Sequence, residues 1–466
     1  MFRLALLLLA LVGCASPADP AREQRILTAL ADDNWLWAKR DPELVQLKLV
    51  KMQRGPYEWL RGTASLFWRD LMEPGVARAV ITVGNEPSSR VLLVGDPHVE
   101  NVGTYRASDG TMFVDWNDFD ATGYGPYWGD LRRLASSFVV AAPTMGEPLA
   151  RRVLEAYAQT MAMIASGSPP GAVVEGRAPL FDDEIDTSRT RGERLFAVDE
   201  LAPVVNGVRE LALGDLEDVA DDGVLEDRVV TISSEHADWI DTAVGQWRAS
   251  LENGDALGAI KLRARRIGSG VSSYAAYRWN VVLEGPTSAT DDDRAIEIKE
   301  TREGVIVRGV PRLGAAQWDS PGARSAATQH VLQARPDADA ILGSALVGGL
   351  SVKIRDREAF QRGVDYPDLA DLAEGNAAEQ AQALALAAIY GEMLARAHGL
   401  APTEGGALGA GTRGVDVIAP LLANREAAFV NELGELALAD AEQVVGDHAL
   451  MVERDLFAAL FVEAIP

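Results

Sequence analysis

An α+β fold is what this chain of 466 residues predicts, and three observations predict it. Short strand-like runs gather in two separated clusters, near residues 91–114 and 265–299. Turn formers punctuate each cluster as hairpins require. Amphipathic stretches of helical period, rich in alanine toward the end, fill the ground between and after them. The length leaves room for two or three domains' worth of core.

Composition narrows the class further. Hydrophobic residues make up 48% and charged residues 24%, the balance of an ordinary folded globular protein. The net charge is −25, from 44 basic and 69 acidic residues. That surface argues against broad nucleic-acid binding, which needs basic patches to displace counterions. A phosphorylated small ligand stays possible, because a local basic cluster can override the global field.

The elements can be justified in order. Residues 1–14 read as a targeting segment, with Arg3 as its basic start and Leu4 to Val12 as a short apolar run. That run is too short to span a bilayer as a mature helix. Leu11-Val12-Gly13-Cys14 ends it on the chain's one cysteine, so no intramolecular disulfide can form. The pattern resembles a bacterial lipoprotein signal, which implies acylation of Cys14. An ordinary secretory signal is the alternative. The expected product is a lipid-anchored, periplasm-facing envelope protein with a tether over 15–24. Ala15 after the cysteine leans toward the outer membrane.

Asp41-Pro42-Glu43 predicts a capped helix running through Met52. A second helix follows Pro56, with Trp59, Leu60, Thr63, Leu66, Phe67, Asp70 and Leu71 at helical spacing. Val91 to Val94 predicts a buried strand ending at Gly95. Val102 to Arg106 and Thr111 to Val114 predict a hairpin about Ala107-Ser108-Asp109-Gly110. Asp130 starts a helix with a stripe of Leu131, Leu134, Ala135, Phe138 and Val139. Ser166 to Gly171 reads as a linker, and charged helical segments with loops follow to about Asn253. The second strand cluster then begins. Near the end, Leu386, Ile389, Tyr390, Met393, Leu394 and Ala397 form a stripe closed by Gly399. The expected organisation is therefore signal 1–14, tether 15–24, helices with the acidic hairpin 25–165 and an intervening helical segment 166–255. A glycine-loop lobe over 256–345 and a helical part over 346–466 complete it.

Two constellations carry chemistry. In the first, Gly95-Asp96-Pro97-His98-Val99-Glu100-Asn101 precedes Val114-Asp115-Trp116. If Asn101 enters the hairpin and Asp115 leaves it, both stand at its open end with Asp96 beside them. One carboxylate near an acceptor hydroxyl, with an amide and a carboxylate on Mg2+, is what phosphoryl transfer needs. Asp118 and Asp120 could add metal or acceptor contacts, and Arg61 and His98 could touch substrate. In the second, Gly268-Ser269-Gly270 leads through a long strand to Ile296-Glu297-Ile298-Lys299. Glycines let backbone amides approach phosphate closely, and Lys299 would reach the same oxygens as a point charge. Alternation puts Lys299 and Glu297 on one face and Ile296 and Ile298 on the other.

At these residues the chain resembles an uncharacterised bacterial family, domain of unknown function 2252, that belongs with the protein-kinase-like proteins. Several pieces also look like aminoglycoside-phosphotransferase motifs. The matching pieces include Leu60-Arg61-Gly62, Gly95 to His98, Glu100-Asn101, Val114 to Asp120, Gly125-Pro126, Asp130 to Ala135, Gly268 to Gly270, Ile298 to Glu300 and Leu394 to His398. The resemblance implies Asp96 as catalytic base, Asn101 and Asp115 as metal ligands, and Asp130 as a brace for the catalytic loop. It also implies ATP or another nucleotide and Mg2+ as cofactors. The order is unusual: the catalytic loop precedes the glycine loop and the lysine, so the two-lobed kinase-like fold would be circularly permuted. The helix expected at Ala323 to Ala334 carries Gln329, His330 and Gln333 but no acid to pair Lys299.

The leading functional expectation is an ATP-type, Mg2+-dependent phosphotransferase acting on an unknown hydroxyl acceptor. A kinase-like binding or assembly module without turnover is the alternative, favoured by an envelope compartment poor in ATP. A metal-dependent phosphoesterase is a third, though of the five histidines only His98 lies near the acidic cluster.

Overall fold

A computed structural model describes residues 20–72, 81–85, 90–192, 196–214, 227–254, 257–309, 318–357, 362–404 and 411–456. Cys14 and the signal segment lie outside the described residues. Four helices open the described chain: α1 (Pro20–Arg40), α2 (Pro42–Gln53), α3 (Pro56–Gly62) and α4 (Ala64–Met72). Thus α1 already begins inside the stretch expected as tether. The Asp41 carboxylate accepts from the Leu44 N–H to cap α2, which satisfies a donor the helix leaves unpaired. The single helix expected after Pro56 is instead α3 and α4, parted at Thr63. Its hydroxyl donates to the Trp59 carbonyl at 2.7 Å, a back-bond that competes with helix continuation.

The next elements build the body of the molecule. They are β1 (Arg90–Leu93), β2 (Val102–Arg106), β3 (Met112–Trp116), β4 (Gly123–Pro126), α5 (Tyr127–Ala141), α6 (Gly146–Ala165) and β5 (Val173–Val174). β2 and β3 form the expected hairpin, with Gly110 at φ +86° in its turn. β1 pairs antiparallel with β4, and β5 adds to β3. Leu131, Leu134 and Phe138 of α5 lie in the largest core cluster with Leu149, Val153 and Tyr157 of α6.

After α7 (Pro179–Gly192), α8 (Phe196–Leu201) and the small hairpin β6 (Val204–Val205) and β7 (Val208–Arg209), the chain builds its principal sheet. Its pieces are β8 (Arg228–Val230), α9 (Ser234–Ser250), β9 (Ile260–Ile267), β10 (Arg278–Leu283), β11 (Arg294–Thr301), α10 (Val305–Gly309), α11 (Pro321–Leu332), β12 (Gly343–Val347) and β13 (Leu350–Asp356). The six strands run antiparallel in the order β12-β13-β11-β10-β9-β8. Ile240, Val244 and Trp247 of α9 cover one face, against Trp279, Val281, Ile296, Ile298 and Ile354. The breaks expected at 255/256 and 345/346 therefore fall within one sheet, because β8 and β13 are edge and inner strands of it.

The chain ends in α12 (Tyr366–Glu374), α13 (Ala377–Leu400), α14 (Gly414–Leu422) and α15 (Glu426–Glu453). Gly399, expected to stop α13, lies inside its last turn, and Ala401 caps it. α13 is buried against α6, while a buried ion pair, Arg132 to Asp440 at 2.8 Å, ties α5 to α15. No helix among the described residues is long and apolar enough to cross a membrane. The outcome is a mixed α and β molecule in which a sheet with one helix-covered face meets a largely helical body.

Candidate functional site

A cleft of about 600 Å³ opens between the face of the sheet opposite α9, which α8 covers only in part, the N-terminal helices and the loops around the β2–β3 hairpin. Its first wall is the loop from Gly95 to Asn101. Gly95 sits at φ +89°, and a Cβ there would lie 2.2 Å from the Ala121 carbonyl oxygen, so only glycine fits. The Asp130 carboxylate, in the first turn of α5, accepts from the Val94 N–H at 2.8 Å and the Gly95 N–H at 3.1 Å. His398 of α13 meets the same carboxylate at 3.1 Å through Nε2 and the Tyr157 hydroxyl at 3.1 Å through Nδ1. Asp130 is thereby placed to hold the loop.

Asp96 and Asn101 both line the cleft. The Asp96 carboxylate accepts from Arg133 Nε–H at 2.8 Å. Burial raises its pKa, and the neighbouring guanidinium offsets part of that rise. Asn101 donates through Nδ2 to the Asp96 carbonyl at 3.0 Å and accepts through Oδ1 from the Asp118 N–H at 2.8 Å. One amide therefore splices the two loops together. His98 also lines the cleft, and burial keeps its pKa well below the usual imidazole value, so the ring is neutral. Its Nδ1 is buried without a hydrogen-bond partner. Arg61 is ion-paired with Glu100 at the cleft edge.

Asp115 departs from expectation. β3 runs through Trp116 instead of ending at Val114, so Asp115 is a strand residue paired with Gly103. It is fully buried and is not part of the cleft wall. Arg396 Nη2 contacts both its oxygens at 2.8 Å, and the Ala334 N–H donates to it at 2.6 Å. A carboxylate neutralised that way is not available to a metal ion. The first acid after the strand takes its place: the Asp118 side chain is 51% exposed and stands in the cleft, 3.5 Å from Lys299 Nζ.

The opposite wall is the sheet. Lys299 leaves β11 toward the cleft and makes an ion pair with Asp120 as well. Burial pushes the Asp120 carboxyl up, but Lys299 and Lys353 outweigh that and hold it well below its usual range. Ser325 of α11 donates to Asp120 at 2.9 Å. Lys353 is the direct cross-strand neighbour of Lys299, and burial brings its pKa down to about 8, with Asp120 opposing. Gly268 and Gly270 adopt φ of +78° and +77°, and Ser269 between them accepts from Arg278 at 2.7 Å. Ser269 and Gly270 line the cleft with Lys299; Gly268 stands just behind them. Glu300 also lines the cleft, on its α1 side, its carboxylate accepting from Arg40 at 2.6 Å and the Tyr277 N–H at 2.8 Å.

Sequence reasoning missed several residues of this site. Arg133 stands one helical turn after Asp130, inside the Asp130 to Ala135 motif, where it drew no role. Lys353 and Arg355 alternate with Ile354 as Glu297 and Lys299 do with Ile298, which was a readable signal. The cleft wall holds more arginines and lysines than carboxylates, the reverse of the chain as a whole.

The family described as "Uncharacterized protein conserved in bacteria (DUF2252)" matches residues 40–454. The chain belongs to this family. No curated protein and no solved structure matches the chain. The match takes in both walls of the cleft, from Arg61 to Asp365.

The donor set can be tested against Mg2+. Asp118 offers a half-exposed carboxylate, and Asn101 Oδ1 keeps one lone pair after accepting from Asp118. Mg2+ takes few protein ligands when phosphates complete its octahedron, so these residues fit. No group of three His, Cys, Asp or Glu side chains able to hold a metal occurs among the described residues. A two-metal phosphoesterase centre therefore has no observation in its favour.

Proposed function

We propose that this protein is a phosphotransferase of kinase-like, circularly permuted, two-lobed fold. Its donor would be a triphosphate of the ATP type with Mg2+, and its acceptor a hydroxyl on a small molecule or a protein. The observation that carries this reading is the meeting of Lys299 with Asp118 and Asp120, from segments about 180 residues apart, in one cleft. The succession of glycine turn, strand, lysine strand and helix along β9, β10, β11 and α11 supports it, being that of a kinase nucleotide lobe.

Each residue has a role in this scheme. Asp118 and Asn101 would hold the ion, which when bound neutralises charge on the phosphate oxygens. Lys299, Lys353 and the amides of the Gly268–Gly270 turn bind those oxygens. Asp96 orients the acceptor hydroxyl and takes its proton, a role worth about 10²–10⁴-fold; Arg133 positions Asp96. The acceptor oxygen bonds to phosphorus as the bond to the bridging oxygen breaks. The shortened chain leaves with that electron pair.

The test is transfer of labelled terminal phosphate by purified protein, in Mg2+, to a panel of hydroxylated small molecules and proteins, with Asp96→Asn as the control. A binding module without turnover is the second reading. It is favoured by α11 offering no acid to Lys299, whose partners come from the metal end instead. Ligand-dependent melting shifts without any transfer would select it. We also take the protein to be anchored to the envelope through acylated Cys14, which mass spectrometry of the membrane fraction would check.

A further inference from the structure

The wall of the cleft beyond Lys299 is built for charge and not for a ring. Two residues back along β11, on the same face, stands Glu297. Its carboxylate lies 2.8 Å from Arg355, 3.3 Å from Arg266 and 3.7 Å from Arg278. Arg266 is also paired with Asp227, so two carboxylates meet three guanidiniums; this stretch stays positive, and Lys353 beside Lys299 extends it. The small apolar positions farther along the face, Ala264, Val282 and Ala295, could have bedded a flat base. They are covered instead by Val198, Leu201 and Ala202 at α8.

The aromatic rings on the other sides of the cleft, Trp37 and Tyr105, are committed as well. Arg302 lies over Trp37 at 4.7 Å, and Tyr105 stacks on Phe113 at 5.5 Å. A nucleobase placed here would give up water against guanidiniums already engaged with Glu297, with little apolar surface in return. A run of phosphates would meet a cation at each step from Lys299 to Arg278 and Arg355.

We propose, resting on the phosphotransferase reading above, that the donor is an inorganic phosphate chain of three or more phosphates and not a nucleoside triphosphate. The terminal phosphoryl group passes to the acceptor oxygen. The acceptor's proton goes to Asp96, and the chain leaves one phosphate shorter with the electron pair of the broken P–O bond.

The experiment is calorimetric titration of the full chain with Mg2+ and tripolyphosphate, ATP or GTP, side by side, with adenosine as competitor. Tripolyphosphate is expected to bind at least as tightly as either nucleotide, and millimolar adenosine to displace nothing. Arg278→Met should weaken tripolyphosphate at least tenfold, while the wild-type comparison stands whether or not that variant folds. Tighter binding of ATP or GTP, or displacement by adenosine, overturns this proposal and leaves the phosphotransferase reading intact. Binding of neither class overturns both.

Discussion

Asp115 and Asp118 stand three residues apart, one sealed against Arg396 and the other half exposed beside Lys299. Asp115→Ala is expected to destabilise the protein by about 3–5 kcal/mol, because it leaves Arg396 buried without its partner; denaturant unfolding checks this. Asp118→Asn should leave unfolding nearly unchanged and remove Mg2+-dependent ligand binding. The two were hard to separate in the sequence because strand ends are read to within a few residues, and one residue decides which face an acid takes. That Asp96, Asn101 and Lys299 could face one cleft was legible, since they lie in the loop after a strand, at the start of a hairpin and on an alternating strand face. Lys48 was not. It is fully buried, donates to Asn34 Oδ1 at 2.8 Å and to the Ser272 carbonyl behind the glycine turn at 3.0 Å. Burial brings its pKa down from 10.5 to about 7. Between those values the unfolded chain holds a proton that the folded one has released, so this group makes stability rise with pH. The rise should be at most about 1.4 kcal/mol per pH unit. Comparing the pH dependence of unfolding in wild type and Lys48→Met isolates it from Lys51 and Lys353, which shift in the same direction.

At the scale of elements, the β2–β3 hairpin and the helices α2, α5 and α13 follow from local signals: Asp-Gly in a turn, Asp-Pro at a cap, stripes at helical period. β8, β12 and β13 carried no such signal. β8 has three residues, β12 has no charged residue to mark an alternation, and β13 alternates basic and apolar side chains in a region whose surroundings read as helical. Only the sheet itself, through pairing with β11 and β9, makes strands of β13 and β8. The brace between elements gives a second prediction. Asp130→Ala would leave the Val94 and Gly95 N–H groups buried without acceptors, at about 1–3 kcal/mol each. We expect a stability loss of at least about 2 kcal/mol by denaturant unfolding, together with weakened ligand binding, because the Asp96 loop hangs from those two amides.

Across the whole molecule, the N-terminal helices clamp the sheet to the body. Arg40 of α1 meets Glu300 of β11, and Asp41 before α2 meets Arg265 of β9 at 2.9 Å. Distant pairings of this kind depend on tertiary packing, so the domain limits written from composition cut through one sheet. The order of the two constellations along the chain, by contrast, could be read directly, since it is a fact of sequence. A strongly acidic molecule with a cation-rich cleft also predicts a salt effect. Raising ionic strength from about 0.05 to 0.5 M should weaken phosphate binding severalfold by screening the cleft cations, as titration at both salts would show.

Both walls of the cleft are expected to grip one phosphate chain together with Mg2+. Thermal unfolding of wild type and Asp118→Asn, with millimolar triphosphate ligand in Mg2+ or in chelator, tests that most directly. The expected result is a rise of several degrees in wild type with Mg2+, none in chelator, and none in Asp118→Asn, whose unliganded melting temperature stays that of wild type. A wild type that does not shift, or an Asp118→Asn that shifts equally, would contradict it.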